Sequence, residues 1–241
     1  MKAEAGQSGN YYDWDEGIYK NKDTGKQVDA DVAIASHSGS EGGTPPDDYV
    51  FNENGDYVRT DKNNKPDRLI VENSKTGARR SYGFADPKED PKNIKNGFIS
   101  KLEFVSVTQI SDMIKQQGGF KAENGSWMAF YEKSKGGQNF DYTFSVLSST
   151  YHNAANSLYL PKGGDGLAHN LMNFGNFLWT ATGYSLGFDY STLKMAAHAN
   201  SLFNPGSNGY SPQLDSKDDQ RSIFSGATYS AMYGFKFFVK K

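Results

Sequence analysis

The residues able to move protons or hold sugar hydroxyls gather in the second half of the chain. They are the carboxylates Glu132, Asp141, Asp218 and Asp219, the imidazole of His169, the amides of Asn170, Asn173, Asn176 and Gln220, and the indole of Trp179. Two carboxylates divide acid and base roles in glycoside hydrolysis when their surroundings separate their pKa values. A histidine paired with a carboxylate serves acid–base cleavage of RNA instead. The sequence leaves both chemistries open. Asp141 and His169 lead the candidate catalytic set, joined by Asp219 and Glu132; Asn170, Asn173, Asn176, Gln220 and Trp179 are the candidate substrate contacts. Each has a plainer alternative. Asp219 at a helix start complements the helix dipole, Glu132 is a solvated strand end, and His198 packs within a helix or faces water.

Other chemistries lack their signatures. His152 and His169 stand in no HExxH spacing, so a histidine metal site is not expected, and no cofactor is expected either. There is no GxSxG elbow, P-loop or GxGxxG, and Gly163-Gly164-Asp165-Gly166 lacks the Lys-Ser/Thr pair of a phosphate cradle. The absence of cysteine excludes disulfides, thiolate catalysis and Cys-based metal sites.

The element expected to organise these groups is a helix from Leu167 to Gly183. Wound at about 100° per residue, it puts Leu167, Leu171, Phe174, Leu178 and Ala181 on one side. His169, Asn173, Asn176 and Thr180 fall opposite, where an ordinary surface helix would carry Lys and Glu. Short amides and hydroxyls suit specific hydrogen bonds better than bulk water, so the strip reads as the wall of a polar cleft. The alternative is a buried helix whose amides satisfy neighbouring groups. Ser126–Glu132 and Phe140–Leu147 read as a hairpin that brings Glu132 towards Asp141, since Phe140, Tyr142, Phe144 and Val146 alternate with polar residues. A second helix is expected over 191–203, with Leu193, Ala196 and Ala197 inward, ended by Asn204-Pro205-Gly206. A third starts at Ser216 as N-cap, with Ile223, Ala227 and Ala231 inward. Phe235–Val239 suits a last strand.

Residues 1–47 look like an arm or linker, with linker composition at Ser36–Pro46 and His37 inside it. From 48 to 115, runs at Tyr49–Phe51, Tyr57–Arg59, Arg68–Val71 and Arg79–Tyr82, split by turn formers, predict an antiparallel meander. A strand at Phe98–Val107 and a helix at Thr108–Gln117, with Ile110, Met113 and Ile114 inward, follow. Residues 48–241 are then one α+β domain, strand-rich first and mainly helical later, with the catalytic region over 116–241. Hydrophobic residues are 36% and mean hydropathy is −0.72, yet aromatics reach 14%, too many for a disordered chain. No apolar run reaches membrane-span length, and no signal-peptide core opens the chain, so export would depend on another carrier. A net charge of −2 and pI near 6.1 do not favour a phosphate-binding surface.

Three segments recur together. Gly-Gly-Gln-Asn-Phe-Asp-Tyr at 136–142, Asn-Phe-Gly-Asn-Phe-Leu-Trp-Thr-Ala-Thr-Gly-Tyr at 173–184, with Leu193 and Ala196-Ala197 after it, and Asp218-Asp219-Gln220-x-x-Ile223-x-x-Gly226 resemble bacterial polymorphic toxin domains catalogued as type forty-four. The resemblance spans roughly residues 128–233, and Asp13–Gly77 resembles sequence following the core of bacterial Rhs-type secreted proteins. It points at Asp141, Gly175, Asp219 and Gln220. The family's helix histidine falls at Asn173, one turn after His169, and its arginine near Trp179 or Thr180. What the resemblance implies is a secreted antibacterial effector, delivered into the periplasm or cytoplasm of a target cell as a monomer and neutralised by a cognate immunity protein. Ribonuclease activity is the family's usual suggestion. The acidic balance and the Asn, Asp, Tyr and Trp content tilt the expectation towards a hydrolase of cell-wall glycan. A basic patch at Lys133, Lys135 and Lys162 would favour RNA, and a non-enzymatic binding or structural module is the third expectation.

Overall fold

A computed structural model describes residues 10–13, 18–21, 24–28, 47–63, 66–203 and 214–235. The chain is α+β and divides into two compact units: Met1–Leu102 with Asp165–Ala168, and Glu103–Gly164 with His169–Lys241. The boundary at 102/103 falls before the 115/116 division that the sequence suggests, and a four-residue stretch of the helical half belongs to the strand-rich unit.

In the first unit, β1 (Asn10–Asp13), β2 (Ile18–Asn21) and β3 (Gln27–Val28) form an antiparallel sheet inside the stretch whose composition suggests an arm. Trp14, His37 and the Ser36–Pro46 linker lie outside the described residues. A second sheet holds β4 (Asp47–Asn52), β5 (Tyr57–Lys62), β6 (Arg68–Glu72) and β7 (Arg79–Phe84). With β10 (Leu167–Ala168) its order is β10-β7-β6-β4-β5. All four predicted runs are strands, but they do not form a plain meander. β6 passes β5 and pairs with β4 in parallel, and β10 pairs with β7 in parallel. The reason lies in β4: Asp47 to Phe51 are all buried, as in a central strand flanked on both edges. β5 keeps Val58 and Lys62 exposed and takes the edge. Gly55 turns the β4–β5 hairpin at φ +83°, and a Cβ there would overlap the Leu102 carbonyl. Helix α1 (Asp90–Lys95) follows β7.

The second unit holds the aromatic core. β8 (Lys101–Val105) carries the chain into it and pairs with β9 (Ser157–Pro161). α2 (Val107–Gln117) starts from a capping box of Ser106 and Gln109 and buries Ile110, Met113 and Ile114, as the sequence predicts. The expected hairpin at 126–147 is absent. Its first arm is α3 (Trp127–Ser134), started by the Ser126 side chain accepting from the Ala129 N–H. Its second arm winds as a π-helical stretch, Thr143–Leu147, running into one α turn at Ser148–Thr150. A strand would bury Phe140, Tyr142, Phe144 and Val146 on one face. Here Tyr142, Val146 and Leu147 are buried at helical spacing, and Phe144 is 68% exposed.

α4 (Leu171–Ser185), α5 (Tyr190–Phe203) and α6 (Lys217–Met232) complete this unit. α4 begins four residues later than the apolar pattern suggests. Asn170 accepts from the Asn173 N–H at 3.0 Å and caps the helix. Leu167 and Ala168 are strand, and His169 bridges to Tyr159 through both backbone groups. Ser216 caps α6 as predicted, with Ile223 and Ala227 buried, but Ala231 is exposed and Tyr229 and Ser230 are buried instead. Phe235 is buried, while 236–239 and Asn204-Pro205-Gly206 lie outside the described residues.

Candidate functional site

α4 is enclosed on nearly all sides. Phe174, Leu178 and Ala181 are buried as expected, and so are Asn173 and Thr180 of the opposite strip. That strip meets α6. Asn176 donates from Nδ2 to Asp219 Oδ1 at 2.6 Å, and His169 Nδ1 shares a 2.9 Å hydrogen bond with Ser222 Oγ. Gly226 lets the helices touch: a Cβ there would overlap the Phe177 carbonyl. The polar strip is thus a helix–helix seam, and the expectation of an open cleft wall is corrected. Packing outweighs propensity here: Asn173 is buried and Asn176 half-buried against α6. Thr180 satisfies itself by donating to the Asn176 carbonyl at 2.9 Å, whereas Asn173 Nδ2 and His169 Nε2 are buried without a partner.

The seam is polar and half-buried at the start of α6. Ser216 donates from Oγ to Asp219 Oδ2 at 2.6 Å and accepts from the Asp219 N–H at 3.3 Å, a local variant of the capping box. Both Asp219 oxygens therefore accept. Burial is the largest influence on this carboxyl and pushes it up from 3.8 to about 6; the hydrogen bond from Ser216 opposes, the charges of Asp215 and Asp218 add to the rise, and the bond from Asn176 opposes again. Asp215 is held from two sides, by Ser201 Oγ of α5 at 2.9 Å and by Gln220 Nε2 at 2.6 Å. Gln220 Oε1 is left buried without a partner. The arrangement is a carboxyl poised to exchange a proton near pH 6, oriented by an amide and a hydroxyl, beside a second carboxylate.

The remaining predicted residues lie elsewhere. Glu132 is exposed on α3 and pairs with Lys135 at 2.7 Å, so it is neither a strand end nor a neighbour that a hairpin brings to Asp141. Asp141 precedes the π-helical stretch and accepts the Gly137 N–H at 2.7 Å, closing its own loop. Among the described residues no hydrogen bond links it to His169 or Glu132. His169 is fully buried, and burial pushes its imidazole down to about 3, so it is neutral at ordinary pH and sealed from substrate. Asn170 is a cap. Trp179 is partly buried, donates from Nε1 to Ser134 Oγ at 2.8 Å and packs on Phe130 with ring centroids 5.2 Å apart. Among the lysines whose clustering would favour RNA, Lys135 pairs with Glu132, while Lys133 and Lys162 lie over the Phe140 and Phe104 rings. Of the predicted set, only Asn176, Asp219 and Gln220 come together. Ser201, Asp215 and Ser222 join them without forewarning, because a contact from a neighbouring helix leaves no local pattern.

Among the described residues, no group of three or more His, Cys, Asp or Glu is placed to hold a metal ion, and no helix is long and apolar enough to cross a membrane. A groove of about 300 Å³ beside α2 is lined by Gln109, Asp112, Met113, Gln116, Thr150 and Tyr151, none of them a predicted site residue. Comparison with protein-family models, with curated proteins and with solved structures finds no match to this chain.

Proposed function

We propose that this protein is a secreted antibacterial effector whose second unit hydrolyses cell-wall glycan, with Asp219 as general acid. One observation carries the chemistry: a half-buried carboxyl that holds its proton up to about pH 6, between Asn176 and Ser216 and next to Asp215. Such a group protonates the departing glycosidic oxygen, and the charge of the neighbouring Asp215 adds to the proton's retention. The effector setting rests on the order of the three segments at 136–142, 173–184 and 218–226, and brings with it delivery by a larger Rhs-type carrier and restraint by an immunity protein. RNA cleavage by an imidazole has less support, since His169 is fully buried and Lys135 is paired with Glu132.

The test is expression in a bacterial host with and without a periplasmic export signal, beside the Asp219→Asn variant. Lysis only on export, abolished by the variant, and release of reducing ends from purified wall glycan are expected. An acid must carry its proton to work, so glycan release should fall as pH rises through about 6. Cytoplasmic arrest with degraded RNA would give the ribonuclease reading instead. A chain harmless in both compartments, and unchanged by the variant, would be a binding module.

A further inference from the structure

His169 is fully buried, yet its side chain reaches across the seam to Ser222, three residues beyond Asp219 on α6. Its backbone is fixed from the other side: Tyr159 N–H donates to the His169 carbonyl at 2.7 Å, and His169 N–H donates to the Tyr159 carbonyl at 2.9 Å. The imidazole is thus a rigid strut from β9 to the second turn of α6. Residues three apart on a helix share a face, so the strut holds the same face of α6 that presents Asp219 to Asn176. Further along α6, Gly226 against the Phe177 carbonyl fixes the approach of the two helices. Between that point and the Ser216 cap, the His169–Ser222 and Asn176–Asp219 bonds are two side-chain ties across the seam.

We propose that His169 is a positioning residue that, through Ser222, keeps the first turns of α6 pressed into the seam and so keeps the Asp219 carboxyl turned inward on Asn176. The strut is a property of the seam itself. Its bearing on catalysis rests on the reading of Asp219 given above, but its test does not.

The experiment is titration of the Asp219 carboxyl by ¹³C NMR in the full chain, in the parent and in His169→Asn, His169→Ala and Ser222→Ala. The parent should titrate near 6. Asparagine places a polar atom where Nδ1 sits and keeps the bond to Ser222, whereas alanine removes it. Both lose the ring's packing against Phe177, 5.4 Å between centroids, so both lower thermal stability. Only the alanine should also free the α6 turn, admit water to Asp219 and lower its titration midpoint by about one pH unit or more. Ser222→Ala, which leaves the core rings in place, should do the same and carries the test if His169→Ala does not fold. An Asp219 midpoint unchanged in a folded alanine variant at either position, or one shifted as far by His169→Asn as by His169→Ala, would overturn the strut. Loss of glycan release with unchanged titrations would also count against it. Intact titration effects in a chain that cleaves no glycan would uphold the strut and remove the catalytic reading alone.

Discussion

His169 and Asp219 bind protons in opposite senses over overlapping pH ranges, and both effects arise from burial. His169 falls from 6.5 to about 3 on folding, so the unfolded chain binds the extra proton: its contribution to stability is complete above pH 6.5 and is lost as pH drops towards 3. Asp219 rises from 3.8 to about 6, so the folded chain binds the extra proton: its contribution is complete below pH 3.8 and is lost as pH rises through 6. Between about pH 4 and 6 the two slopes partly cancel. Removing either should expose the other. His169→Asn, which cannot ionise, should flatten acid destabilisation between pH 6.5 and 4, an effect on the order of a few kcal/mol for a fully buried imidazole. Asp219→Asn should steepen it. Urea melts of the three proteins at pH 4, 5, 6 and 7 would decide, and parallel curves would show that neither group titrates across folding.

At the scale of elements, α4 owes two close approaches to glycines where a side chain would collide. Gly226 of α6 faces the Phe177 carbonyl, which is backbone and cannot move aside, whereas Gly175 of α4 faces the Thr143 hydroxyl, which can rotate. Gly226→Ala should therefore push α6 off α4 and cost about 1–3 kcal/mol, as overpacking does. Gly175→Ala should cost less, because the hydroxyl can turn aside; the helical preference for alanine offsets part of the strain at both positions. Denaturant midpoints at unchanged slope would measure both, and equal losses would contradict the contrast. The same helices show what a sequence discloses. Ser216 announces its helix because a cap is written within four residues, whereas Ser126, which caps α3, stands in a run that reads as a hairpin arm; Ile110, Met113, Ile114, Ile223 and Ala227 announce inner faces by local period. Phe140–Val146 misleads because helix and strand both bury some of its alternating residues, while the bond between the Tyr142 and Thr182 hydroxyls, at 2.6 Å, joins residues forty apart that no local pattern relates. Asp219 is legible as an acidic first-turn residue. Its raised proton affinity is not, because that comes first from burial in the folded chain, against the opposing hydrogen bond from Asn176, forty-three residues away.

On the scale of the whole molecule, each unit has its own apolar interior, and sequence order does not follow the division. Tyr49, Phe51, Leu69 and Phe84 are buried in the first unit, and Phe130, Phe174, Phe177 and Leu178 in the second. The chain runs from the second unit back to the first at Asp165 and returns at His169. In that short visit Leu167 and Ala168 pair with Gly83 and Phe84 of β7, and the Gly83 and Ala85 N–H groups donate to Gly166 and Ala168 carbonyls at 2.9 and 2.8 Å. Amide exchange reports the stability of the cooperative unit to which a hydrogen bond belongs, not of its neighbours along the chain. Leu178→Ala removes a wholly buried side chain from the second core, a change worth about 2–5 kcal/mol. It should speed exchange across 171–185 and 217–232 while leaving β4, β6 and β7 protected. The Gly83 and Ala85 amides, held by residues 166 and 168, should stay protected with the strands. Leu69→Ala should reverse the pattern, releasing Gly83 and Ala85 together with β4 and β6 while the α4 and α6 amides hold. Exchange of Gly83 and Ala85 in step with α4 after Leu178→Ala would mean that the visiting strand opens with the helices that flank it, and that the two interiors unfold as one.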